Sequence, residues 1–91
     1  MECEWDEAKR QTVLRVRGLD FARVPEMFCG DIFTSSDERY EYGEERYLTY
    51  GEIDDWVVLV AWTPRGSKRR IITMRNCHDK ERTRYYRAVG R

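Results

Sequence analysis

The sequence predicts an α+β domain: two amino-terminal helices, a four-stranded antiparallel sheet and a closing helix, in the order ααββββα. Three observations carry that prediction. The first thirty residues show helical capping and spacing, the pattern after Phe33 alternates with a period of two, and His78 to Val89 reads as a helix again. With 91 residues there is room for one domain, 1–91, and for no second.

Asp6 is a natural N-cap, and Glu7 to Arg17 contains neither Pro nor Gly. Ala8, Thr12 and Val16, with Val13 nearby, give this helix a moderate apolar face. Gly18 stands where a left-handed residue ends a helix at low cost. Asp20 can cap a second, short helix carrying Phe21, Val24, Met27 and Phe28, but Pro25 places the true start of that helix near itself. Charge and tyrosine alternate over Glu38 to Tyr42, which predicts the first strand, and Glu45 to Ile53 predicts the second. Asp54-Asp55 has hairpin length. Trp56 to Trp62 is apolar on both faces, as a central strand is, which puts Trp56 and Trp62 in the core. Thr63 to Ser67 reads as a turn and Lys68 to Cys77 as the fourth strand. On a regular strand Arg70 and Arg75 face opposite sides, so they share a pocket only if a bulge intervenes. Tyr40, Tyr42, Tyr47 and Tyr50 are expected to pack across strands.

The net charge is zero, but it is divided unevenly. Residues 1–60 hold 7 basic and 15 acidic groups, a net of −8, whereas residues 61–91 hold 10 and 2, a net of +8. Such asymmetry points to a charged partner. Arginine outnumbers lysine 14 to 3, and its planar fork suits phosphate or carboxylate. No apolar run is long enough for a bilayer, so no membrane role is expected. The acidic amino terminus lacks a signal region and three irregularly spaced cysteines suit a reducing compartment, so a cytoplasmic location is expected. Cys3, Cys29 and Cys77-His78 lack zinc-site spacing, and neither metal nor other cofactor is expected.

Trp5-Asp6-Glu7-Ala8-Lys9, Arg15 to Gly18, Asp20-Phe21, Tyr42-Gly43-Glu44-Glu45-Arg46, Thr63-Pro64-Arg65-Gly66, Arg70 to Arg75 and Glu81-Arg82 with Tyr85 form an ordered set. Together they resemble the BrnT toxin family. The resemblance implies a RelE-like fold, ribonuclease activity and a type II toxin–antitoxin pair. It also implies a BrnA-type antitoxin with a ribbon-helix-helix region, and contact with operator DNA only through that antitoxin. The chain departs from the family pattern at four polar places. An Asn and a Lys-His pair of the first helix are replaced by Val13, Val16 and Arg17, and a Lys after the second strand arginine by Asn76; the Ala-Thr that follows is Cys77-His78. Chemistry that depends on those groups would run differently here, slowly, or not at all.

Cleaving RNA without a metal requires a group to take the 2′-OH proton, one to stabilise phosphoryl charge and one to protonate the leaving oxygen. Arg75 is the first choice for phosphate, at a strand end beside a helix start, with Arg46 and Arg70 nominated mainly by the family likeness. Arg70 could equally pair with the acidic first half, and Arg46 with a surface carboxylate. Glu81 is a candidate base, with capping or solvation as its alternatives. His78 suits acid–base work, as imidazole does near neutrality, or is simply an exposed helix-start residue. Tyr85, one turn from Glu81, could donate a proton, stack on a base or pack at the core edge. Lys9, Arg15, Arg17, Arg65, Lys68 and Arg69 are candidates for an RNA-binding rim. Besides a nuclease, the residues leave open a toxin-like protein that binds without turnover and a single-stranded RNA binder.

Overall fold

A computed structural model describes all 91 residues, Met1–Arg91. Helix α1 (Glu7–Arg17) starts where expected: Asp6 accepts the Lys9 N–H at 3.1 Å. It ends at Gly18, whose φ of 70° lets its N–H reach the Leu14 carbonyl. The buried face is not the Ala8–Thr12–Val16 row, however. Val13 is buried and Arg10 turns inward to grip Asp20 through two hydrogen bonds of 2.7 and 3.1 Å, while Val16 is 69% exposed. Arg10, Val13 and Leu14 follow the i, i+3, i+4 rule, with the half-buried Arg10 stem supplying apolar cover. Asp20 caps a single 3₁₀ turn, Phe21–Arg23, and α2 (Val24–Phe28) follows with Pro25 in its first turn.

The sheet has five strands and is mixed, not four and antiparallel. β1 (Glu2–Glu4), β2 (Phe33–Ser36), β3 (Tyr47–Ile53), β4 (Trp56–Arg65) and β5 (Lys68–Asn76) lie in the order β1-β5-β4-β3-β2, and β1 runs parallel to β5. Three residues are too few for alternation to register in a sequence. Opposite charges favour this pairing, since Glu2 lies opposite Lys68 and Glu4 opposite Arg70. The first predicted strand was also misplaced. Glu38–Tyr42 belongs to a loop folded around Asp37, whose buried carboxylate accepts from Arg39 at 2.8 and 2.9 Å and from the Tyr42 hydroxyl at 3.3 Å. Tyr40 and Tyr42 lie in that loop, edge-on to each other, and pack across no strand, whereas Tyr50 stacks on Phe33 and Tyr47 lies against Trp62, each across a strand pair.

Asp54 and Asp55 form the β3–β4 turn with φ of 51° and 67°, the positive pair that a type I′ hairpin requires. Asp54 is held there by Arg23 at 2.9 Å. β4 is buried from Val57 to Thr63 and then continues to Arg65, leaving the next turn at Gly66-Ser67. Trp56 is not core: beside the turn it is 64% exposed.

A bulge decides what β5 shows on each face. Ala61 pairs with Thr73 but Trp62 pairs with Ile71, so Ile72 is extra. The buried Ile71 and Met74, three apart, thereby reach the same core beneath α1 and α2. Arg70 and Arg75 fall opposite Thr63 and Leu59, which share the other face. That face is covered by α3 (Asp79–Ala88), with Tyr85 packed against Tyr50, Val57, Leu59 and Cys77. No helix is long and apolar enough to cross a membrane.

Gly51 on β3 gives the sheet its close contact with α2. A Cβ there would sit 2.4 Å from Met27 Cγ, and Met27 is fully enclosed. Gly51→Ala is therefore expected to destabilise the fold by about 1–3 kcal/mol, measurable as a lower urea midpoint.

Candidate active site

β5 ends at Asn76, and the Cys77 N–H extends its pairing by donating to the Val57 carbonyl at 2.9 Å. His78 is the extended N-cap of α3. Glu81, at the third helical position, accepts the His78 N–H at 2.9 Å and so retains the capping duty from which a poor capping residue at 78 could have freed it. The same carboxylate takes both arms of Arg75, each at 2.8 Å. Strand end and helix start are thus joined by a two-pronged, charge-assisted pair.

That arrangement sets the electrostatics. Arg75's hydrogen bonds, with help from the His78 N–H, pull the Glu81 carboxyl down to about 2, against the opposing effect of its burial. A carboxylate this weakly basic, with both oxygens engaged, is a poor proton acceptor; it is well suited to orienting Arg75. The His78 side chain is 75% exposed, with Nε2 3.8 Å from Glu81. Tyr50 also faces this centre: Glu81, Arg84, Cys77 and Arg75 all bear on its hydroxyl, and burial pushes that hydroxyl's pKa up. Tyr50, packed in the core cluster with Cys77 and Tyr85, is a neighbour of this junction that strand packing alone explains in sequence.

The linkage of Glu81 has a definite sign. Its folded pKa lies below the ordinary carboxylate value, so the stability it contributes is present above about pH 4.5 and fades as pH falls towards about 2. Glu81→Gln should cost about 1.5–3 kcal/mol at pH 7, the range for hydrogen bonds to charged groups. In parallel denaturation curves the gap from wild type should close with acidification. A gap independent of pH would mean that the ion pair contributes nothing.

The other nominated residues do not converge here. The bulge turns Arg70 to the same face as Arg75, but Arg70 is held by Glu4 at 3.3 Å. Arg46, before β3, lies on the Tyr42 ring at 3.7 Å and close enough to Lys9 for the two charges to disfavour each other. Arg69 lies over Phe28 and Trp62, at 3.6 and 4.7 Å, on the face of α1 and α2. Neither Arg46 nor Arg69 pairs with a carboxylate, and the Nε of each is buried without a partner. Arg65 pairs with Glu44 at 3.3 Å and Lys68 with Glu2 at 3.9 Å. Arg15 is exposed, and Arg17 donates to the Met74 carbonyl at the open edge of β5 at 2.8 Å. Tyr85 is fully buried, its hydroxyl donating to the Asp31 carbonyl at 2.6 Å and its pKa pushed up to about 12. Cys3 is half-buried, Cys29 exposed and Cys77 buried, and no three His, Cys, Asp or Glu side chains form a metal-holding group.

The largest groove, about 480 Å³, lies across the sheet from Arg75 and is lined by Arg17, Ile53, Trp56 and Asn76, among others. It holds an arginine–carboxylate pair of its own, Arg23–Asp54, but no histidine lines it, whereas His78 adjoins the Arg75–Glu81 pair at the β5–α3 junction.

Fold and site together are those of a small α+β protein built around an arginine–carboxylate centre at a strand–helix junction. The chain belongs to the BrnT family, the ribonuclease toxins of type II toxin–antitoxin systems, whose family model matches residues 5–81. No curated protein matches it. A toxin of this kind implies an RNA substrate and an antitoxin partner.

Proposed function

We propose that the protein is a metal-independent endoribonuclease toxin of RelE-like fold. In this reading it cleaves cytoplasmic RNA, inhibits translation and growth, and is neutralised by a BrnA-type antitoxin that alone contacts operator DNA. One observation carries this reading: the two-pronged Arg75–Glu81 pair beside an exposed His78. Arg75 neutralises the phosphoryl oxygens and Glu81 fixes its fork; His78 takes the 2′-OH proton as the 2′-oxygen bonds to phosphorus and returns it to the 5′-oxygen as the P–O5′ bond breaks, leaving a 2′,3′-cyclic phosphate. Arg46 and Arg70 become outer electrostatic contacts, and Tyr85 a packing residue. Lys9, Arg15, Arg17 and Arg69 belong to the α1–α2 side, and Arg65 and Lys68 are taken by Glu44 and Glu2, so these six have no part at the centre.

The test is cleavage of RNA by the purified protein in excess EDTA, with and without the antitoxin. Cleavage that survives EDTA and stops with antitoxin supports the proposal; cleavage that needs added metal overturns the mechanism.

A second reading is a toxin-like protein that binds antitoxin or corepressor without turnover. It is favoured by the groove beside Trp56, where Arg17 and Asn76, two of the positions that depart from the family pattern, lie together. Antitoxin binding with no cleavage of any RNA would establish it over the first, whereas RNA binding without cleavage or antitoxin binding would favour a single-stranded RNA module.

A further inference from the structure

The ten cations of residues 61–91 sort into three groups. Arg65, Lys68, Arg70 and Arg91 pair with carboxylates of the first sixty residues. Arg75 and Arg82 pair with Glu81 and Asp79, the only acids of their own segment. The remaining four, Arg69, Lys80, Arg84 and Arg87, have no carboxylate partner. Arg69 is laid on aromatic rings, but the other three share one element, α3, at i, i+4 and i+7. Residues at that spacing form a single stripe. All three are exposed, while Tyr85, on the opposite side of the helix, is buried. Like charges so placed oppose helix formation by a few tenths of a kcal/mol per pair, a cost that only Arg87, in the last turn, recovers through the helix dipole.

We infer that the Lys80–Arg84–Arg87 stripe is a rail for the phosphate backbone of an RNA strand whose scissile phosphate lies on Arg75. The inference rests on the nuclease reading and deepens it. Two features favour RNA over an acidic protein. The chain's exposed large apolar side chains are Met1, Val16, Ile32, Tyr40 and Trp56, and none lies on α3. A protein interface needs such anchors, whereas a phosphate backbone needs only charge. The stripe also has the right length, since seven residues rise about 10 Å along a helix, close to three stacked nucleotides at about 3.4 Å each. It begins at the centre, because Lys80 immediately precedes Glu81, the residue that holds both arms of Arg75. Lys80 lies within the residues that match the family, 5–81, and Arg84 and Arg87 lie beyond them.

The test uses the whole protein and a 2′-O-methyl oligouridylate, in which the attacking hydroxyl is blocked. Affinity is measured from 50 to 200 mM salt for wild type and for Lys80→Gln/Arg84→Gln/Arg87→Gln. Each phosphate contact on a single strand contributes about 0.7 to the salt slope, so the triple variant should be shallower by about 2 and lose about 20-fold less affinity across that range. Arg84→Lys/Arg87→Lys should keep the wild-type slope, because a backbone rail reads charge and not fork geometry. An unchanged slope in the triple variant overturns the rail, and RNA cleavage by the wild type would still leave the nuclease reading in place. Tighter binding of polyglutamate than of the oligonucleotide, lost in the triple variant, reassigns the stripe to an acidic protein. Wild-type protein that binds no RNA brings down both.

Discussion

Arg75→Ala is expected to lower RNA cleavage by about 10²–10³-fold, the usual consequence of removing one preorganised donor from developing oxyanion charge. Growth arrest on expression should disappear with it. The variant is informative because the fold has an independent hold on the helix start. Glu81 still accepts the His78 N–H when Arg75 is gone, so α3 keeps its cap. If Glu81 acts only by orienting Arg75, Glu81→Gln should slow cleavage in the wild-type background and add nothing on top of Arg75→Ala. A further loss in the double variant would give Glu81 a separate role at the reacting atoms. Equal cleavage by wild type and Arg75→Ala, with both folded, would remove the β5–α3 junction as the site and direct attention to the groove beside Trp56.

Phe21→Ala should have the largest effect on stability. Phe21 is completely enclosed, sits edge-on to Trp5 with ring centres 6.4 Å apart, and belongs to the core that joins the helical layer to the sheet. Truncations of this kind cost about 3–5 kcal/mol, against a total of about 5–15 kcal/mol for a small domain. With a denaturant slope of about 1–3 kcal/mol per molar, the urea midpoint should fall by about 2 M. A loss below about 1 kcal/mol would mean that the helices do not close on the sheet as described.

Short-range signals were the legible part of the fold. The Asp6 and Gly18 caps, the Asp54-Asp55 turn and the doubly buried β4 are each written within a few neighbouring residues. Partners distant in the chain were hidden. β1 is recognisable only beside Lys68–Arg70, and the Ile72 bulge only when β5 is laid against β4. That bulge reversed the expected faces of Arg70 and Arg75 relative to each other. Of the candidate site, Arg75, Glu81 and His78 were visible as neighbours at a strand–helix junction. Their bonding was not, because capping and ion pairing are alternatives in sequence but coexist in space on one carboxylate. Tyr85 has a spacing that fits a catalytic helix face and a core equally well, and only the packing of α3 distinguishes the two. The half-to-half charge contrast was read as a partner signal, yet much of it is internal adhesion between distant segments.

The parallel pairing of β1 with β5 sets a timetable for synthesis. Glu4 meets Arg70 across 66 positions of chain, so this edge strand must wait for α1, α2, β2, β3 and β4 to be made first. Contacts so far apart form slowly and late. A growing chain therefore carries Glu2–Glu4 without their strand partners until Lys68–Arg70 have been made.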